Sequence, residues 1–290
     1  MLATVKLSVP SLLLTLALAA INLTARAAEP RDDSASEKLG WHLATKAYTF
    51  RSITLYETID ITRALGLKYF ELNPTQKLSA ENPVNTNDTL TPELRAALKA
   101  KFAAAGIKVT NYGVVKLTND EAADRKIFDF AKDMGIQTIV SEPPADAFDL
   151  LDKLTAEYGI NVAIHNHPQP STYFDPETVL KVIQGHSARI GACADTGHWT
   201  RSGLSSVECL KKLEGHVITS HFKDANDAKT DVPFGKGKTD IKGMMGELKR
   251  QKFQGVLSLE YESGATGEQL INELKECIAF FDREAAQLAR

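Results

Sequence analysis

The feature that most constrains the fold of this chain is a regular alternation of strand-like and helix-like segments from residue 41 to the C-terminus. Short apolar runs predict eight strands, at residues 41–47, 67–72, 107–115, 136–142, 160–166, 190–195, 216–222 and 256–262. Segments with helical periodicity follow them, at residues 54–65, from 92 onward, 118–134, 145–158, 176–185, 207–213, 241–251 and 267–288. Eight such units in about 250 residues predict an α/β fold, a single-domain (β/α)8 TIM barrel.

Glycines support this reading, because one lies at or just before the start of five predicted strands: Gly66, Gly106, Gly135, Gly159 and Gly255. Glycine commonly ends a helix in the left-handed conformation. A doubly wound open sheet is the alternative, and it normally carries a glycine-rich phosphate-binding turn after its first strand. The sequence has no such turn. The segment 73–89 is long and rich in Asn, Pro and Thr, which is typical of a lid or binding loop.

The N-terminus predicts export. Lys6 precedes an apolar run at residues 12–20, and Ala25-Arg26-Ala27 offers a signal peptidase small residues at the right spacing. We therefore expect a signal peptide at residues 1–27, a linker at 28–39, and the barrel at 40–290, in the periplasm or secreted. The apolar run is short for a membrane span, so we expect no stable membrane insertion, although an uncleaved N-terminal anchor is the alternative.

The net charge and the cysteine content limit the classes of function that the chain can have. The formal net charge is −3 and no block of Lys and Arg stands out, which argues against a nucleic-acid partner. The three cysteines, Cys193, Cys209 and Cys277, cannot form a complete disulfide framework, and we interpret them as small buried apolar residues.

Ionisable side chains are concentrated where the predicted strands end, which is where TIM barrels build their sites. These are Lys46, Tyr48, Arg51, Glu71, Glu142, His165, His167, Asp195, His198, His221, Lys223, Glu260 and Glu262. Carboxylates and imidazoles together suit one divalent metal ion (Mn, Mg, Co or Zn) that also binds substrate oxygens. Our candidate ligands are Glu142, Asp195, His221 and Glu260.

The candidate metal ligands could instead have purely structural roles. Glu142 could be a helix N-terminal charge, and His221 could be a core histidine with satisfied hydrogen bonds. Glu260 and Glu262 alternate along one predicted strand and share a face, so the sequence separates ligand from neighbour only weakly.

The segments AIHNHP, ADTGHW, SHFKD and LSLEYE, in this order, resemble the xylose isomerase-like barrels of the sugar phosphate isomerase/epimerase family, over about residues 41–281. The resemblance to ketose 3-epimerases implies one divalent metal held by Glu142, Asp195, His221 and Glu260. It also implies that Glu142 and Glu260 are the catalytic acid/base pair and that His198 contacts the substrate. We place His165, His167, Lys223, Glu71 and Arg51 among the substrate-binding candidates. Relatives commonly associate through barrel helices, so the resemblance allows a homo-oligomer.

These residues fit proton abstraction next to a carbonyl, giving an enediolate that the cation stabilises, with Lys223 or Arg51 neutralising charge. Export favours an unphosphorylated sugar or glycoside over a sugar phosphate. A lyase or hydratase acting on a small-molecule 3-keto-glycoside is the main alternative, with His165 and His167 assisting the leaving group or ligating metal. A non-catalytic periplasmic sugar-binding protein is a third reading. An apurinic endonuclease would need more His ligands and a basic face.

Overall fold

The computed structural model describes residues 31–290, so the predicted signal peptide at residues 1–27 lies outside the described residues. Eight parallel strands close a barrel in chain order, and β1 pairs with both β2 and β8. The strands are β1 (Trp41–Lys46), β2 (Tyr69–Leu72), β3 (Lys108–Val115), β4 (Thr138–Ser141), β5 (Asn161–His165), β6 (Ile190–Asp195), β7 (Val217–Phe222) and β8 (Gly255–Leu259). The predicted TIM barrel is confirmed.

Ten helices surround or cap the barrel in the described part of the chain. They are α1 (Ser34–Lys38), α2 (Leu55–Ala64), α3 (Pro92–Ala105), α4 (Glu121–Asp133), α5 (Phe148–Tyr158), α6 (Pro176–Ile183), α7 (Thr196–Arg201), α8 (Ser206–Lys212), α9 (Ile241–Arg250) and α10 (Gly267–Leu288). The polar segment 28–39, expected to lack regular structure, contains α1, which packs against α10. Among residues 31–290, no helix combines the length and apolar character needed to cross a membrane.

Local sequence signals explain most helix ends. Thr54 forms a reciprocal capping box with Glu57 at the start of α2, and Thr91 caps α3. Gly106 is the left-handed residue that ends α3, as predicted. Asp120 caps α4 by accepting hydrogen bonds from the backbone N–H groups of Ala122 and Ala123. One expectation was wrong in detail, because Gly255 begins β8 instead of ending a helix.

Two departures from the predicted elements lie at the rim of the barrel. A Thr-Gly pair is typical of a turn, but α7 begins at Thr196, and the Asp195 carboxylate caps it by accepting a 2.8 Å hydrogen bond from the His198 backbone N–H. Strand β8 ends at Leu259, so Glu260 and Glu262 lie just beyond the strand. Both departures place side chains on segments at the rim, next to His165, Asp195 and His221, which lie within strands.

The core has an inner and an outer part. Val140, Ala163 and Cys193 form a small cluster of buried apolar residues on β4, β5 and β6. Larger side chains such as Trp41 and Phe281 fill the layer between strands and helices. All three cysteines are buried and free, as the sequence predicted.

Candidate active site

A cavity of about 570 Å³ lies at the C-terminal ends of the strands. Its lining combines acidic, basic and imidazole side chains with a short backbone segment: Lys46, Tyr48, Asn73, Thr75, Gly113, Val114, Val115, Lys116, Glu142, His165, His167, His198, Lys223, Glu260 and Glu262. The predicted concentration of ionisable groups at this rim is therefore a feature of the folded protein.

Lys223 is the centre of the acidic part of the site. Its ammonium lies 3.1 Å from Asp195 Oδ2, 3.0 Å from Glu260 Oε2 and 2.7 Å from Glu262 Oε2. Burial alone would lower the pKa of Lys223, but the surrounding carboxylates, Asp195 first, raise it well above its usual value. Lys223 is therefore a permanent cation that draws three carboxylates to one point.

Asp195 is held rigidly at the end of β6. Asn166 brackets its backbone, accepting from the Asp195 N–H at 2.7 Å and donating to the Asp195 carbonyl at 3.0 Å. The side chain is completely buried, and burial favours its neutral form, yet His198 and Lys223 hold its pKa well below the usual value. Asp195 is thus a fixed, ionised carboxylate.

Glu71 forms a second buried cluster beneath the cavity. Its Oε1 accepts from the Lys46 ammonium at 2.8 Å and lies 2.8 Å from His221 Nε2. Its Oε2 accepts a 2.6 Å hydrogen bond from the Ser258 hydroxyl. Burial raises the pKa of Glu71, but His221 and Lys46 outweigh it and bring the pKa to about 2. The ionised Glu71 fixes the orientation of the His221 ring.

Glu142 lies with two histidines in the cavity lining. Its Oε1 is 3.0 Å from His165 Nδ1, and it also contacts His167 Nδ1. The His167 backbone N–H donates to the same oxygen, and the Ser171 hydroxyl donates to Oε2. Burial opposes ionisation, but the two histidines keep the pKa of Glu142 far below its usual value. The hydrogen bond to Glu142 in turn raises the pKa of His167.

His198 is a neutral imidazole at the edge of the cavity. Burial lowers its pKa to about 2, and the neighbouring Lys223 and His165 contribute, although Asp195 opposes the shift. Its Nε2 lies 3.4 Å from the Lys223 ammonium and can accept a hydrogen bond from it. His198 is therefore suited to hydrogen bonding with substrate.

The structure separates the predicted site residues into three groups. Those that line the cavity are Glu142, Glu260, His165, His167, His198 and Lys223. Asp195 and His221 are fully buried next to it. The predicted substrate contacts Glu71 and Arg51 do not line it: Glu71 is fully buried under Lys46, and the exposed Arg51 stacks on Tyr48.

Several lining residues were missed by sequence reasoning. Asn73 and Thr75 come from the segment 73–89, which was recognised as a binding loop without individual residues being chosen. The stretch 113–116, at the end of β3, contributes a glycine and two valines, which leave no chemical signal in a sequence, and Lys116, which directly follows a predicted strand and could have been found by that position.

The donor set also fits a divalent cation. Donor atoms of His165, Asp195 and His221 lie within 4.8 Å of one another. His221 Nδ1 is buried without a hydrogen-bond partner, although it lies 3.1 Å from Glu260 Oε2 and 3.6 Å from Asp195 Oδ2. A buried nitrogen aimed at two carboxylates without hydrogen-bond geometry is an arrangement that a metal ion satisfies.

Comparison with known proteins identifies the same fold and the family. Residues 59–282 match the family model described as xylose isomerase-like TIM barrel. No curated protein sequence matches the chain significantly. A crystal structure of an uncharacterised protein from Parabacteroides distasonis ATCC 8503 is 33% identical, with a TM-score of 0.70, over 84% of this chain and 99% of that one.

Two more distant structures share the fold. A D-tagatose 3-epimerase-like protein is 16% identical, with a TM-score of 0.67, over 85% of this chain and 98% of that one. The probable 3-DHS dehydratase AsbF from Bacillus anthracis is 14% identical, with a TM-score of 0.65, over 83% and 98%. From the family match and the 33% identical relative, we conclude that this chain belongs to the xylose isomerase-like TIM barrel family.

Proposed function

We propose that this protein is a divalent-metal-dependent sugar isomerase or epimerase that removes a proton next to a carbonyl group. The observation that carries the proposal is the pair of carboxylates, Glu142 and Glu260, in the wall of one cavity, with the buried ion cluster around Lys223 beside them. The D-tagatose 3-epimerase-like neighbour supports the same class of reaction.

Glu260 is the proton acceptor in this proposal. Burial would favour its neutral form, but Lys223 and His221 hold its pKa well below the usual value, so it is ionised at neutral pH. Its side chain is only 6% exposed, which excludes most competing water. A carboxylate fixed in this way can take a proton from a substrate carbon bound against it.

The Glu142–His167 pair returns a proton to the substrate in this proposal. The ion pair stores its proton on His167, because hydrogen bonding to Glu142 raises the pKa of the imidazole. His167 is about half exposed, so it reaches the substrate space. Lys223 donates hydrogen bonds to substrate oxygens, and the neutral His198 accepts a hydrogen bond from a substrate hydroxyl group. Lys223 also neutralises negative charge that develops on the substrate oxygens.

Asp195, His221 and Glu260 would hold the divalent cation. When bound, the ion supplies Lewis-acid stabilisation of negative charge on substrate oxygens, a contribution of several kcal/mol.

The substrate that we propose is an unphosphorylated sugar or glycoside. Two of the lysines in the cavity lining are already engaged by carboxylates, Lys46 by Glu71 and Lys223 by three partners. A phosphate group would have to compete with those ion pairs. The predicted signal peptide supports the same conclusion, because we expect the protein to act outside the cytoplasm, where sugar phosphates are scarce.

One observation favours a second candidate, a lyase or hydratase acting on 3-keto-glycosides. His167 lines the cavity and its side chain is about half exposed, so the imidazole of the His167–Glu142 pair can protonate a departing oxygen as well as a carbon. Both candidates share proton abstraction by Glu260 and differ in the second step.

Product analysis separates the candidates. Mature, metal-loaded protein is incubated with free ketoses and with 3-keto-glucosides, and products are identified by NMR before and after chelation. A new epimer or isomer that disappears on chelation and returns on metal addition supports the isomerase. Release of the aglycone supports the lyase. Saturable sugar binding with no product from any substrate contradicts both enzymatic proposals and supports the binding-protein reading.

A further inference from the structure

We infer that the divalent cation is held by His165, Asp195, His221 and Glu260, and that Glu142 lies outside this set as the carboxylate that orients His165. The inference rests on the metal dependence of the proposed function. This ligand set differs from the one that the family resemblance implies, which contains Glu142 where we place His165.

The His165 ring lies between two carboxylates. Its Nδ1 lies 3.0 Å from Glu142 Oε1, and its Nε2 lies 3.4 Å from Asp195 Oδ2. The ring is 2% exposed, so neighbouring side chains hold it on all sides. The imidazole ring therefore lies between Glu142 and Asp195. The group next to Asp195 is the His165 Nε2 atom, and the Glu142 carboxylate lies on the other side of the ring.

His221 repeats the same arrangement. Its Nε2 faces the Glu71 carboxylate at 2.8 Å, and its Nδ1 faces Asp195 Oδ2 at 3.6 Å. Two imidazoles thus converge on one oxygen of Asp195, and each has a carboxylate behind its other nitrogen. Metal-binding histidines characteristically donate their second N–H to a carboxylate in this way, which fixes the tautomer and strengthens the ligand.

Both oxygens of Glu142 are already engaged in hydrogen bonds. One of its oxygens accepts from the His167 backbone N–H at 3.0 Å and contacts both imidazoles. The other accepts from the Ser171 hydroxyl at 2.9 Å. Ligation by Glu142 would disturb this set of hydrogen bonds. Glu260, in contrast, lies 3.1 Å from His221 Nδ1 and is free of comparable backbone restraints.

Lys223 is compatible with a cation at this position. Its ammonium already occupies the space between Asp195 Oδ2 and Glu260 Oε2, which shows that these oxygens are arranged for positive charge. Glu262 remains as its partner, at 2.7 Å, when the other two carboxylates bind a metal. Two imidazoles with two carboxylates favour Zn or Co over Mg, because Mg prefers oxygen donors.

X-ray absorption spectroscopy of the zinc-loaded protein tests the inference directly, because it counts imidazole ligands without reference to activity. We expect two imidazoles in the wild type, two in Glu142→Gln and one in His165→Ala. One imidazole in the wild type, or an imidazole count that His165→Ala leaves unchanged, would overturn the inference.

Zinc titration of the same proteins supplies an independent readout. Glu142→Gln should weaken zinc binding about 10- to 100-fold, the usual effect of losing an orienting carboxylate. His165→Ala should weaken it more, and His186→Ala, in a peripheral pair with Asp152, should leave it unchanged. If His165→Ala fails to fold by circular dichroism, the wild-type imidazole count still decides. Zinc bound through one imidazole contradicts this inference alone, whereas a wild type that binds no divalent metal also contradicts the metal dependence of the proposed function.

Discussion

His221 Nε2 lies 2.8 Å from Glu71 Oε1, and both side chains are fully buried beneath the cavity. The contact joins β7 to β2 across the barrel interior. Glu71 provides no surface of the cavity, yet it determines the orientation of the His221 ring. Lys46 supplies the compensating charge. The site is therefore built in layers: carboxylates beneath, imidazoles above them, and the substrate space over both.

The Lys46–Glu71 ion pair should be important for stability. Lys46→Met would leave the buried Glu71 carboxylate with only His221 as a charged partner, and removing one member of a buried pair costs about 3–5 kcal/mol. We expect chemical denaturation to show a loss in this range. Lys68→Met is the matched control, because Lys68 is 57% exposed in its pair with Asp33 and should cost under about 1 kcal/mol. Equal losses in the two variants would contradict this account.

Gly197 is required for close packing against Lys223. A Cβ at position 197 would lie 2.6 Å from Lys223 Cβ, so Gly197→Ala must displace that side chain from its three carboxylates. We expect at least a tenfold loss of kcat/KM and a loss of stability of about 1–3 kcal/mol from overpacking.

Gly246→Ala in α9 is the control, since nothing lies within 4 Å of its added Cβ, and it should stabilise the helix by up to about 1 kcal/mol. Unaltered kinetics in Gly197→Ala, measured on the substrate identified for the wild type, would show that Lys223 tolerates the displacement.

Glu260→Gln should abolish turnover while keeping the fold. The amide preserves the shape of the side chain but cannot accept the substrate proton, and loss of a general base costs about 10²- to 10⁴-fold in rate. Glu262→Gln changes a neighbouring carboxylate that also contacts Lys223, and we expect a smaller loss. The measurement is kcat on the true substrate together with thermal unfolding. Near-wild-type activity in Glu260→Gln would mean that the proton acceptor has been misassigned.

Asp231 should make stability depend on pH. Burial raises its pKa from 3.8 to about 6, although Lys223 and Arg201 oppose the shift. Because the folded pKa lies above the unfolded one, the stabilisation is complete below about pH 4 and is lost as the pH rises through 6. The free energy of unfolding of the wild type should therefore fall relative to Asp231→Asn between pH 4 and pH 7, by at most about 3 kcal/mol.

The control for this comparison is Asp227→Asn, because Asp227 is 80% exposed in its pair with Lys238. Its stability should follow that of the wild type across the same pH range. If wild type and Asp231→Asn also run parallel, Asp231 has an ordinary pKa in the folded protein.

Element order and the location of the site were predictable from the sequence because both follow from local patterns. The apolar run of β6 (Ile190–Asp195) and the long periodic segment of α10 (Gly267–Leu288) have the predicted bounds. The α7 helix was missed because Thr-Gly is a turn signal, and only the capping carboxylate of Asp195 makes a helix possible there.

The internal arrangement of the site could not be predicted, because it depends on contacts between distant strands. Glu71 is 150 residues from His221, and nothing in the local sequence indicates that the two side chains meet. The same is true of Glu142, which was chosen as a ligand from its position at a strand end. Its engagement with His165 depends on the pairing of β5 in the barrel, and its engagement with His167 and Ser171 depends on the path of the loop after β5.

The most direct test of the proposed chemistry is proton exchange, followed by NMR in deuterated water on the metal-loaded mature protein with free ketoses and 3-keto-glucosides. The account predicts deuterium at a carbon next to the carbonyl with at least one of these substrates, and its loss in Glu260→Gln. Turnover of a substrate without deuterium at that carbon, or exchange that persists unchanged in Glu260→Gln, would contradict proton abstraction by Glu260.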